Sequence, residues 1–239
     1  VYFASRLEAQ HMIRQAQPWA EPVEKRIKVL RKVADIYEKN AHELFALLTH
    51  EAGKTLPDCI GELREAVDFL RYYAAQGQKD GRSASGIFTC ISPWNFPLAI
   101  FTGQIVAALV MGNGVLAKPA ENTSLIAHFA VNLMHEAGVP KNSLQIVPGF
   151  GADVGPVLCG DPKISGVCFT GSTATANLIN QTMAQELPPH VPFIAETGGL
   201  NAMIVDSTAL LEQAVRDVLL SAFQSAGQRC SALRMLYVQ

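Results

Sequence analysis

Several common features are missing from this sequence, and each absence narrows what the chain can be. The five cysteines, at 59, 90, 159, 168 and 230, form an odd set without a CxxC pair, and no secretory leader is visible. Reduced thiols in a cytoplasmic compartment are therefore expected, with no disulfide framework and no metal. Charge of one sign is also scarce: the formal net charge is −2 and the pI is near 6.3. No basic stripe exists to neutralise nucleic-acid phosphates, so nucleic acid is not an expected partner. The one long uncharged run, Ile87 to Ala117, is interrupted by Pro93, Asn95, Pro97, Gln104 and the Gly112-Asn-Gly114 turn. It divides into strand, loop, buried helix and strand rather than a membrane span. Internal repeats, low-complexity linkers and a GxGxxG fingerprint are absent as well. What remains, 239 residues that are 49% hydrophobic and 17% charged, suffices for one large domain or two modest ones.

The first part reads as helical, over Val1 to Gln17, Pro22 to His50 and Leu56 to Gln76. In the second helix Val23, Ile27, Leu30, Val33, Ala34, Tyr37, Leu44, Leu47 and Leu48 recur at three-to-four spacing with charges between them, an amphipathic packing layer. Pro22 near its start and Gly53 after its end fit the asymmetry of helix termini.

From Gly86 onward short apolar runs alternate with helical ones. The expected strands are Ile87 to Ile91, Gly114 to Ala117, Leu144 to Val147 and Ile164 to Thr170, and the expected helices are Leu98 to Met111, Ser124 to Ala137, Asp153 to Cys159 and Ala174 to Gln185. Continuously apolar strands separated by helices predict an α/β fold: a doubly wound parallel sheet of nucleotide-binding type. The ligand of such a sheet lies beyond the carboxyl ends of the strands, among loops such as Ser92 to Pro97, Lys118 to Glu121 and Gly171 to Thr173.

Two of these loops carry binding chemistry. In Phe169-Thr-Gly-Ser-Thr173 a strand ends, a glycine turns, and two hydroxyls meet the amino end of a helix, which presents N–H groups and Ser172 to a pyrophosphate or simply caps the helix. In Lys118-Pro-Ala-Glu121 the cation can donate to ribose hydroxyls and the carboxylate can accept from them, a pairing that repels a 2′-phosphate and favours NAD over NADP. The alternative is a surface ion pair. Gly149-Phe-Gly151-Ala-Asp-Val-Gly155 is a weak glycine cluster, equally readable as a tight turn.

Near the end, Ser225-Ala-Gly-Gln-Arg-Cys230-Ser-Ala places a cysteine just before a strand-like Leu233 to Val238. Free cysteine is commonly a buried small hydrophobe. Its company argues otherwise: Glu196-Thr-Gly-Gly199 and Ser92-Pro-Trp-Asn-Phe-Pro97 lie upstream. Together they supply a nucleophile, a carboxylate base and an amide donor, the roles acyl-transfer chemistry requires.

The motifs SPWNFP (92–97), KPAE (118–121), FTGST (169–173), ETGG (196–199) and GQRCS (227–231), in this order, resemble the aldehyde dehydrogenase superfamily over essentially the whole chain. The spellings ISPWNFPLAIF, AETGGLNAMIVDSTAL and SAFQSAGQRCSALR are similar to its L-glutamate γ-semialdehyde (pyrroline-5-carboxylate) dehydrogenase branch, within it to the domain that follows a proline dehydrogenase domain in bifunctional proline-utilisation proteins. The resemblance implies an NAD-binding domain over 1–195, with a helical segment over 1–77, and the beginning of a catalytic domain over 196–239. It makes Cys230 the nucleophile that forms a thiohemiacetal, Asn95 with the Cys230 N–H the oxyanion donors, and Glu196 the general base toward the thioester. Lys118, Glu121 and Ser172 match cofactor contacts; Ile91, Trp94, Gly171 and Gly198 are placed in the same NAD pocket. Phe96, Arg229 and Ser231 are the implied substrate contacts, Phe96 along the aliphatic chain and the other two at the carboxylate.

The same resemblance implies a small aldehyde substrate, a FAD-dependent proline dehydrogenase domain in the same parent polypeptide, and a homo-oligomer. It also marks departures. The family continues well beyond Gln239, with a further Glu/Phe motif, a carboxylate-anchoring loop and oligomerisation elements, and the connection from Gln76 to Gly86 is short. The expectation is that these residues alone bind NAD weakly and turn over little. The competing readings are an aldehyde dehydrogenase of other substrate range, a catalytically silent NAD-binding or assembly module, and a thiol acyltransferase or esterase working without nicotinamide.

Overall fold

A computed structural model describes residues 2–79 and 81–239. The chain forms two compact units, one ending at Ala195 and one spanning Glu196–Gln239.

The first unit opens with α1 (Arg6–Gln15). Its start follows from a capping box: Ser5 Oγ accepts from the Glu8 N–H at 3.3 Å and Glu8 Oε2 accepts from the Ser5 N–H at 2.8 Å. The expected start at Val1 lies outside the described residues. The helix expected over 22–50 is two, α2 (Val23–Lys39) and α3 (Ala41–Ala52). They part at Asn40, whose φ is −99° and ψ 26°, and whose Nδ2 donates to the Ile36 carbonyl at 2.8 Å. A short amide that competes for backbone partners ends the helix where hydrophobic spacing alone does not. Left-handed Gly53 (φ 63°) closes α3, and Thr55 Oγ1 caps α4 (Leu56–Gly77) by accepting from the Asp58 N–H.

The strands and helices then alternate: β1 (Ile87–Ile91), α5 (Ala99–Val110), β2 (Gly114–Lys118), α6 (Ser124–Ala137), β3 (Leu144–Ile146), α7 (Gly151–Gly160), β4 (Ile164–Thr170), α8 (Thr173–Glu186) and β5 (Phe193–Glu196). The sheet order is β3-β2-β1-β4-β5. β1 pairs in parallel with β2 and with β4, so that Ile91 stands opposite Lys118 on one side and Phe169 on the other. Three strands therefore end level, and the connections reverse direction between β1 and β4, where doubly wound sheets open a crevice.

Helices cover both faces. One core joins α2, α4, α5 and α6 to Cys90, Val115 and Ala117 of the sheet; the other joins α1, α7 and α8 to Ile87, Ile91, Leu116, Val167 and Phe169. Adjacent strand residues point to opposite faces, so Cys90 and Ile91 belong to different cores. Fully buried Tyr37, Phe101, Leu30 and Leu70 contribute about 1.5–3 kcal/mol each by leaving water.

The second unit is a parallel pair, β6 (Asn201–Val205) and β7 (Leu233–Val238), linked through α9 (Leu211–Phe223). Leu211, Val215, Leu219, Leu220 and Phe223 of α9 are exposed. Among the described residues no helix is long and apolar enough to cross a membrane, and no group of three or more His, Cys, Asp or Glu side chains is placed to hold a metal.

Candidate functional site

At the level strand ends, four side chains organise the loops. Gln104 Nε2 donates to the Ile91 carbonyl at 3.2 Å and to Thr170 Oγ1 at 2.9 Å, joining the ends of β1 and β4 where the sheet order reverses. Lys118 is 4% exposed; its Nζ donates to the Pro119 carbonyl at 2.9 Å and lies 3.3 Å from Glu121 Oε1. The same Glu121 oxygen accepts from the N–H of Gly151, the first residue of α7, at 2.7 Å. Burial lowers the Lys118 ammonium below its ordinary value, with Glu121 opposing. Burial raises the Glu121 carboxyl, but backbone N–H donors, Gly151 among them, and the Lys118 cation outweigh it and hold it below the usual carboxylate value. Ser172 is the N-cap of α8, its Oγ accepting from the Thr175 N–H at 3.1 Å. Gly171 precedes it where a Cβ would lie 2.5 Å from the Phe169 ring, so a side chain there would have to displace that ring.

The β1–α5 loop leaves the sheet with the Ser92 N–H donating to the Lys118 carbonyl at 3.1 Å. Trp94 is exposed, Asn95 half-buried, and Phe96 half-buried beneath the Lys54 ammonium, which stands 4.2 Å from its ring centroid.

Glu196, the last residue of β5, and Gly198, in the segment leading to β6, are exposed. After α9 the chain turns through Ser225 (φ 53°) and Ala226 (φ 54°), two consecutive left-handed residues that are not glycine, then Gly227 (φ 69°). Strain of this kind, about 1–3 kcal/mol per residue, persists only where surroundings over-determine it. Arg234 Nη2 donates to the Gly227 carbonyl at 2.8 Å at the end of that turn, and further on Asn201 Nδ2 donates to the Cys230 carbonyl at 2.7 Å and the Ala232 carbonyl at 2.9 Å. Cys230 and Ser231 are exposed. Arg229 Nη2 donates to the Leu220 and Ser221 carbonyls, which ties the guanidinium to the end of α9. Of the other cysteines, 59, 90 and 159 are buried and 168 half-buried; burial pushes the Cys159 thiol up to about 12.

Lys118 and Glu121 are thus brought into contact, and Ile91, Lys118 and Phe169 stand side by side. Sequence reasoning missed Glu62, Lys54, Gln104 and Asn201. The signal for Glu62 was its place on the buried stripe of α4, with Cys59, Leu63, Ala66 and Leu70. For Gln104 it was an amide inside an otherwise apolar helix.

The profile of the aldehyde dehydrogenase family matches residues 3–239. The chain belongs to that family. Among its aldehyde dehydrogenase relatives, the bifunctional protein PutA of Salmonella typhimurium is 53% identical over 238 residues, covering 96% of this chain and 18% of PutA. A 1-pyrroline-5-carboxylate dehydrogenase of Anoxybacillus flavithermus is 40% identical, covering 87% of this chain and 44% of that protein. A crystal structure of Bradyrhizobium japonicum proline utilization A superposes with a TM-score of 0.96 at 48% identity, over 100% of this chain and 27% of that one. A Thermus 1-pyrroline-5-carboxylate dehydrogenase with bound NAD does so with a TM-score of 0.91 at 32% identity, over 99% of this chain and 51% of that one. The chain spans less than a fifth of the PutA relative and under half of the Anoxybacillus one.

Proposed function

We propose that this chain supplies the dinucleotide-binding unit and the nucleophile-bearing segment of a longer NAD-dependent dehydrogenase. Its reaction is oxidation of L-glutamate γ-semialdehyde, formed from 1-pyrroline-5-carboxylate, to L-glutamate in proline catabolism, with a FAD-dependent proline dehydrogenase domain in the same polypeptide. The observation that carries this reading is Cys230: it is the exposed one of the five cysteines, follows a strained left-handed turn, and has its own carbonyl clamped by Asn201.

The residues of the first unit fit NAD. The Ser172-capped N-terminus of α8 stands at the end of β4, where backbone N–H groups favour a pyrophosphate. Lys118 and Glu121 offer a donor and an acceptor to ribose hydroxyls, and the Glu121 charge disfavours a 2′-phosphate. Ile91, Trp94 and Gly171 of this unit are assigned to the same cofactor, as is Gly198 of the second unit. When bound, NAD supplies the hydride acceptor.

The chain's own residues do the rest. The Cys230 thiolate adds to the aldehyde carbon, giving a thiohemiacetal. Asn95 and the Cys230 N–H hold the oxyanion; removal of one such donor lowers kcat on the order of 10²–10³-fold. Once that carbon is oxidised to a thioester, Glu196 takes a proton from the attacking water and glutamate leaves as Cys230 is released. Phe96 lines the aliphatic chain of the substrate, and Ser231, with Arg229 beside it, stands at the carboxylate.

The test is NAD reduction by the complete polypeptide with glutamate γ-semialdehyde and with propanal. The expected result is the higher kcat/KM for the semialdehyde, no activity in Cys230→Ala, and in Glu196→Gln a burst of about one NADH per site followed by slow turnover. Equal or better use of propanal overturns the substrate, and activity retained by Cys230→Ala overturns the nucleophile.

A further inference from the structure

We propose that Glu62 and Lys54 are positioning residues for Asn95, acting as a buried clamp on the loop that carries it. This rests on the dehydrogenase reading above, in which Asn95 holds the oxyanion.

Helix α5 begins without a side-chain cap of its own, since its N-cap residue is Leu98. The cap comes from another helix. Glu62 Oε1, on α4, accepts from the Leu98 N–H at 2.8 Å and approaches the Ala99 N–H at 3.3 Å. The second carboxylate oxygen faces Lys54 Nζ at 2.8 Å, a buried ion pair. The Lys54 and Glu62 side chains are 6% and 0% exposed. From there the Lys54 ammonium lies over the Phe96 ring, next to Asn95. The other end of the loop is already held, by the Ser92 N–H on the Lys118 carbonyl. Asn95 therefore sits in a span tied at Ser92, at Phe96 and at Leu98.

Stability does not explain the clamp well. Burial raises the Glu62 carboxyl above its ordinary value despite Lys54 and the two amides. Buried ion pairs can often be exchanged for apolar residues of similar volume without loss of stability. What such residues cannot do is accept from the Leu98 and Ala99 amides and hold a cation on Phe96, and donors of an oxyanion depend on being fixed before the charge develops.

The test uses the complete polypeptide. Removing either partner alone strands a buried charge, so the pair Lys54→Met with Glu62→Leu is made instead, with Lys54→Met and Glu62→Gln together as a second variant. In the Lys54→Met, Glu62→Leu pair, kcat should fall on the order of 10²-fold while KM for NAD stays near wild type; Tm should fall as well, because the Leu98 and Ala99 N–H groups lose their acceptor. The neutral variant Lys54→Met with Glu62→Gln, which keeps an acceptor oxygen for the two amides, should recover most of that loss. In an Asn95→Ala background the pair should change kcat by less than about threefold, because its effect passes through Asn95. An unchanged kcat in the folded pair, or the same fold-loss with and without Asn95, overturns the positioning role alone. A wild type without dehydrogenase activity overturns the underlying reading too.

Discussion

Gln104 on α5 donates its side-chain amide to the Thr170 hydroxyl, 2.9 Å away at the end of β4, and the same nitrogen reaches the Ile91 carbonyl. One side chain thus closes the gap between the strands where the order of the sheet reverses. Gln104→Leu preserves volume and removes both bonds. The expected effect is a loss of about 1–2 kcal/mol of stability together with weaker NAD binding, read by thermal unfolding and by NAD titration. Unchanged NAD affinity would show that this junction is structural only.

Asn201 holds the Cys230 and Ala232 carbonyls. Asn201→Ala should lower kcat/KM about tenfold by loosening the peptide of Cys230, the proposed nucleophile. Asn201→Asp, nearly identical in shape, should be at least as damaging because a carboxylate faces carbonyl oxygens without a donor. Steady-state kinetics of the two variants separates hydrogen bonding from packing.

Ser172 both caps α8 and stands where the pyrophosphate is assigned. Ser172→Ala should cost about 1 kcal/mol of stability by loss of the Thr175 bond. Ser172→Asp remains a good N-cap, so stability is retained, yet its charge repels a phosphate. NAD affinity should therefore fall further in the aspartate variant than in the alanine one, by fluorescence titration.

The Glu121 carboxyl is held below its ordinary value of 4.5. A carboxylate depressed in the folded state contributes stability that is fully present above that value and is lost as pH falls through the lower folded one. Glu121→Gln should therefore melt below wild type at neutral pH, and the difference should shrink below pH 4.5. A Tm difference constant across this window would place its origin outside the titration.

Much of the architecture was legible along the chain. Largely apolar runs such as Ile87–Ile91 and Ile164–Thr170, separated by helices, already point to parallel strands covered on both sides, because such strands carry apolar residues on both faces of the sheet. The FTGST turn at α8 and the KPAE turn after β2 were readable as turns because each lies within a few adjacent residues. The break at Asn40 was not, since the apolar spacing runs through it and a single side-chain bond to Ile36 decides the matter.

The sequence by itself determined the alternation of elements and the residue types available for chemistry, because both depend on local periodicity and short motifs. Only the tertiary structure decided that Ile91, Lys118 and Phe169 end level, that Glu62 reaches across to cap α5, and that Asn201 grips the peptide of Cys230. Each of these joins residues far apart in the chain, through strand register or a buried hydrogen bond. No spacing along one segment encodes the direction in which a side chain from another will arrive.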